Sequence, residues 1–169
     1  LSKLSLEYKN VVGGIIDDML RLKRVEEVKA AYRALKEYNP HLKLYGVIYT
    51  HELEDPKMVD YLPYIDVINL WVWENTKHLK LIDLYIEQCS ALCNDKPIIW
   101  GLYLYDFPTK QPMPINLLKF QFEKAVQLIV EERIAGFSIL ASHLIDHFPE
   151  TAYWVRRFIK ENLERYSEM

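Results

Sequence analysis

The chain has 169 residues, half of them hydrophobic and 27% charged, which is long enough to bury a core and too apolar for a disordered segment. Its formal charge is −3 with the basic residues scattered, so it carries no electrostatic footprint for nucleic acid. No apolar run reaches the ~18–20 residues of a membrane span.

The opening, LSKLSLEYKN, reads as the tail of a helix feeding the first of five strand-like runs. That run is VVGGIIDD (11–18), where Gly13 and Gly14 leave room for another element to approach. Arg21 to Arg24 read as the solvated start of a helix. Residues 22–38 follow with Val25, Val28, Ala31, Tyr32 and Leu35 on one face, and Asn39-Pro40 ends them. The second run, KLYGVIYTHE (43–52), leads to a helical turn opened by Asp55-Pro56. The third, DVINLWVWE (66–74), is followed by a helix over 77–92. Cys89 and Cys93 lie on that helix, and their C-x3-C spacing lacks companion ligands for zinc, so they are expected to be buried thiols. The fourth run, PIIWGLYLYD (97–106), enters FPTKQPMP (107–114), a stiff loop placed to wall a pocket. A helix over 115–132, the fifth run AGFSILASH (135–143) and a last helix near 149–166 complete the chain.

Five βα units with nearly continuous apolar strands predict a parallel sheet. Two architectures fit: the C-terminal part of a (β/α)8 barrel, or a five-stranded doubly wound sheet. The polar end of every run favours the barrel, because all its strand ends face one pocket. The expectation is a single α/β domain over 1–169, an incomplete barrel lacking N-terminal βα units. A preceding segment or another chain would then cover its open sheet edges. No signal-peptide pattern opens the chain.

The strand ends carry the candidate chemistry. Asp17 and Asp18 close the first run, their side chains pointing to opposite sides, and Asp106 closes the fourth. Two carboxylates are what glycoside hydrolysis needs, and Asp106, set among Tyr103, Tyr105, Phe107 and Pro108, is the expected acid. Asp17 or Asp18 is then the nucleophile or base. Trp73 and Tyr105, near strand ends, are candidate platforms for sugar rings, whereas Trp71 and Tyr103 are expected in packing. His51, Glu52, Glu74 and His143 complete the candidate ligand contacts, Glu74 as a cap or rim residue. Ser142 lacks the G-x-S-x-G elbow of a nucleophile. No dense ligand motif and no glycine-rich phosphate loop is present, so neither a metal nor a cofactor is expected.

The 11–160 stretch resembles the C-terminal part of glycoside-hydrolase-like (β/α)8 barrels among poorly characterised bacterial proteins. The residues that carry the resemblance are IIDDM, LYGVIYTHEL, INLWVWEN, GLYLYDFPTKQPMP and GFSILAS. It implies a barrel and carbohydrate recognition. Chitinase-like barrels are more distant, because their D-x-D-x-E strand end is not reproduced by Gly13 to Asp18. The leading expectation is a carbohydrate-active, hydrolytic barrel with a carbohydrate ligand. The alternatives are a non-catalytic glycan-binding barrel, or a metal-dependent lyase or isomerase using Asp18, His51, Glu52 and His143.

Overall fold

A computed structural model describes residues 1–94, 96–140 and 142–166, with the side chains of 75, 142, 143 and 163–166 outside that description. The short helix α1 (Leu4–Glu7) precedes strand β1 (Gly13–Ile16). Helices α2 (Met19–Leu22) and α3 (Val25–Lys36) lead to β2 (Lys43–Tyr49). The predicted 22–38 helix is thus shorter and preceded by a separate turn. Its start is fixed by Glu27, whose carboxylate accepts the Arg24 N–H at 2.7 Å and satisfies a donor that a helix start leaves open. Helix α4 (Met58–Tyr61) leads to β3 (Val67–Trp71), then α5 (Asn75–His78), α6 (Ile82–Leu92) and β4 (Ile98–Tyr103). The chain ends with β5 (Tyr105–Asp106), β6 (Gln111–Pro112), α7 (Ile115–Val130), β7 (Gly136–Leu140) and α8 (Pro149–Tyr166).

Strands β1, β2, β3, β4 and β7 form one parallel sheet in that order, curled into a half-barrel. Neighbours in space are neighbours among the five runs, with no reversal of direction along the sheet. Consecutive order of this kind is how strands follow one another in a (β/α)8 barrel. The fourth run splits after Tyr103, and its end, β5, pairs antiparallel with β6 inside the proline-rich loop. That loop therefore has a small sheet of its own, held over the strand ends.

Alternation sorts the strand residues onto two faces. Leu44, Ile48, Ile68, Leu70, Ile98, Trp100 and Leu102 are buried on the helix-covered face. There Phe122 of α7 meets Phe137 of β7 edge-on at 5.7 Å, and Leu35 of α3 lies 3.8 Å from where a Cβ on Gly14 would stand. The inner face carries Tyr45, Asn69, Trp71, Gly101, Tyr103 and Ser138, with the Ser138 hydroxyl donating to the Asn69 side-chain oxygen Oδ1 at 3.0 Å. Gly101 is required here, because a Cβ would stand 2.1 Å from the Trp71 indole lying over it. Gly13 likewise permits a close approach, its would-be Cβ standing 2.2 Å from the Lys43 carbonyl oxygen. Cys89 and Cys93 are both fully buried, their sulfurs 3.9 Å apart. Among the described residues no helix is long and apolar enough to cross a membrane.

Candidate functional site

The carboxyl ends of β1, β2 and β3 build one open cleft of about 340 Å³, lined by Asp18, Arg21, Tyr49, His51, Glu52 and Trp73. Each wall follows from how its strand stops. After β1 the chain turns at once into α2, and Asp18 takes a left-handed conformation (φ 49°) that Asp tolerates better than most residues. This turn separates the two aspartates. Asp18 faces the cleft and is gripped by Arg21, whose Nη2 and Nε donate to its two carboxylate oxygens at 2.7 and 3.3 Å. Asp17 accepts the Tyr49 hydroxyl at 3.0 Å and the Asp18 N–H at 2.7 Å through one oxygen, Oδ1.

Strand β2 gives way to a 3₁₀ turn over Thr50–Glu52. Glu52 folds back to accept the Tyr49 N–H at 2.9 Å, which fixes the carboxyl at the cleft wall with only 9% of the residue exposed. Burial pushes its pKa above the ordinary glutamate range, and the negative charges of Asp18 and Asp55 add to the shift. The Tyr49 N–H and His51 oppose it. The Tyr49 ring stacks on His51 at 5.7 Å and meets Trp73 edge-on at 5.8 Å. Burial raises the Tyr49 phenol well above its ordinary pKa, and Asp17 adds to the effect, so its proton stays on the oxygen that donates to Asp17.

Trp73 lies just beyond the end of β3 and is 40% exposed, whereas Trp71, two residues earlier, is 6% exposed and packed edge-on against Tyr103 at 4.8 Å. Trp73 is shared by three concavities: the cleft, a neighbouring groove of about 490 Å³ with Thr50, Glu74, His78 and Tyr85, and a tight recess over β4 and β5. Glu74 sits on the rim in a left-handed conformation (φ 52°), pairing with Lys77 at 3.1 Å and His78 at 3.5 Å. The Lys77 contact holds its carboxyl below the ordinary range.

The recess contains Asp106 with Tyr103, Tyr105, Phe107 and Pro108. Asp106 is 2% exposed. Its Oδ2 accepts the Thr109 hydroxyl and, at 3.5 Å, that of Thr76, while its Oδ1 is buried without a hydrogen-bond partner among the described residues. Tyr105 is half-buried, stacked on Phe148 at 6.0 Å and edge-on to Phe107 at 5.2 Å. Burial raises the Tyr103 phenol, with the Tyr49 phenol and the charges of Asp17 and Asp106 adding to it, so Tyr103 feels both halves of the site.

The expected residues therefore fall into two groups joined by Trp73. Asp18, His51 and Glu52 meet in the cleft, with Asp17 behind them on Tyr49. Glu74, Tyr105 and Asp106 meet in the recess. The side chains of Ser142 and His143 lie outside the described residues. Among the described residues, no three His, Cys, Asp or Glu side chains converge to hold a metal ion.

Tyr49 and Arg21 escaped the sequence reading. Arg21 looks like one member of a solvated basic cluster, although its i+3 spacing from Asp18 could have flagged the pair. Tyr49 shares the inner-face parity of Tyr45 and Val47, but its place beside Trp73 depends on a strand register that one sequence does not reveal.

No protein-family model matches the chain, and no curated protein sequence does. Among solved structures it is similar to the PgaB (BpsB) glycoside hydrolase domain from Bordetella bronchiseptica, at 17% identity and a TM-score of 0.44. The alignment covers 76% of this chain and 42% of that domain, so the chain spans less than half its length. The likeness is a weak link in fold to a glycoside hydrolase domain.

Proposed function

We propose that the chain forms part of a carbohydrate-active barrel that binds glycan at its strand ends and hydrolyses it with a pair of carboxyl groups. The observation that carries this is Trp73, exposed and set edge-on to Tyr49 above a cleft walled by Asp18 and Glu52. An open aromatic face offers a surface for the apolar C–H face of a sugar ring, and carboxylates beside it accept the hydroxyls. Asp17 or Asp18 is assigned as the nucleophile or base of the pair. His51, Glu52, Glu74, Tyr105 and His143 are assigned to ligand contact. The free edges of β1 and β7 are proposed to be covered by further βα units or by another chain.

The test is a calorimetric titration with chito-, cello-, xylo- and manno-oligosaccharides. At least one series is expected to bind, and Trp73→Ala to weaken that binding about tenfold, equivalent to about 1.4 kcal/mol. Binding of none of the four, or equal binding by the variant, would reject the proposal. One observation favours a second, non-catalytic reading. Asp106, expected as the acid, is buried and tied to Thr109 away from the open cleft. Glycan binding without turnover would favour that second reading.

A further inference from the structure

Hydrolysis needs a neutral carboxyl and an ionised one facing the same substrate. Asp106 occupies a recess closed by Tyr103, Tyr105 and Phe107, and its hydrogen bonds turn it toward Thr109 and Thr76. Glu52 stands one strand away from β1 and lines the open cleft together with Asp18. We infer that Glu52, and not Asp106, is the proton donor of the proposed hydrolysis, with Asp18 as its ionised partner; this rests on the function proposed above.

The surroundings separate the two carboxyl groups. Asp18 is held by the Arg21 guanidinium, which donates to both of its oxygens and fixes the carboxylate in the cleft. Glu52 is withdrawn from water, and Asp18 from the β1–α2 turn and Asp55 from the turn that follows its own face it with negative charge, while Arg21 of α2 lines the same cleft. His51 on the same turn and the Tyr49 N–H oppose them. Trp73 from the end of β3 closes the cleft on the remaining side without charge. The Tyr49 N–H holds Glu52 through Oε2 on the wall of the cleft, so the carboxyl is not free to swing into solvent.

In the step itself, the Glu52 carboxyl proton passes to the glycosidic oxygen as the bond from that oxygen to the anomeric carbon breaks, the electron pair leaving with the oxygen. A water oxygen bonds to the anomeric carbon and gives one proton to the Asp18 carboxylate. Glu52 ends ionised and Asp18 protonated, and exchange with solvent restores both.

Leaving-group dependence tests the assignment. The substrates are the four oligosaccharide series and their 2,4-dinitrophenyl glycosides, whose leaving group departs without a proton. Glu52→Gln is expected to lose about 10²–10⁴-fold on the oligosaccharides, the usual contribution of a general acid, and less than tenfold on the dinitrophenyl glycosides. The alkaline limb of kcat/KM should disappear with it. Equal losses on both substrate types would make Glu52 a structural residue and overturn the inference, as would finding the selective loss in Asp106→Asn instead. If Glu52→Gln does not fold, the wild-type protein decides. Its rate on oligosaccharides must fall along an alkaline limb that dinitrophenyl substrates lack, and a limb common to both overturns the assignment. Wild-type protein that binds glycan but turns over neither substrate type removes the hydrolytic function itself, and the inference falls with it.

Discussion

Tyr49 joins the β2 and β3 walls of the open cleft to Asp17 at the end of β1. Its hydroxyl donates to Asp17, its ring stacks on His51 and meets the edge of Trp73, and its N–H holds Glu52. Burial raises the pKa of Glu52 in this arrangement, and the consequence for stability has a definite sign. Its folded pKa is raised, so the folded state binds its proton more tightly than the unfolded chain does. That contribution is fully present below the unfolded value of about 4.3 and is lost as pH rises through the raised folded value. Glu52→Gln cannot ionise and so cannot lose it. The stability of the variant minus that of the wild type, from urea unfolding at successive pH values, should therefore increase from about pH 4 upward and then level off. A difference that stays flat or falls over that range would mean the folded state does not hold the proton on Glu52.

At the scale of elements, the five runs were legible because each is a short apolar stretch bounded by turn signals, and their parallel order followed from helix-length spacers between them. Where the strands stop was not legible. Val72, Leu104 and Met113 are buried although they lie outside the strands, because the loop layer over the strand ends packs as tightly as the sheet. Apolar pattern therefore runs on past the last ladder hydrogen bond, and the sequence reading carried Glu52, Glu74 and Asp106 onto strands of the parallel sheet, whereas Asp106 lies in the separate β5–β6 hairpin. The separation of Trp73 from Trp71 was legible from nearness to the strand end. The β5–β6 hairpin was not, since two residues per strand leave no periodicity to read.

One device at this scale fixes where the sheet hands over to the hairpin. Gln121 on α7 accepts the Tyr103 N–H at 3.1 Å and donates to the Tyr103 carbonyl at 3.2 Å, taking the place of a neighbouring strand. Gln121→Leu would leave both backbone groups buried and unpaired, at a cost of about 2–4 kcal/mol. The midpoint of urea unfolding should fall accordingly without a change in slope. An unchanged midpoint would show that Tyr103 does not depend on the amide.

For the whole molecule the dominant fact is that the parallel sheet is curled but open. Strand β1 pairs only with β2 and β7 only with β4, so each leaves one row of backbone groups without a ladder partner among the described strands. The β1 side is also apolar: Leu4, Leu6, Val12 and Ile15 are each at least 50% exposed. Natural sheets protect such edges with charges, bulges or a covering element, and β1 has no charged residue between Gly13 and Ile16. Exposed apolar surface beside unpaired strand groups favours association with any chain able to pair there. The 169-residue chain is accordingly expected to self-associate, its apparent mass by light scattering rising with concentration. Ile15→Lys places a charge on the inner face at the middle of that edge, where the side chain is already 61% exposed and little core packing is lost. It should move the apparent mass toward that of the monomer with little change in the unfolding midpoint. A wild-type chain that stays monomeric at every concentration would mean that the β1 edge needs no cover, and the proposed completion of the barrel by further βα units would lose its physical motive.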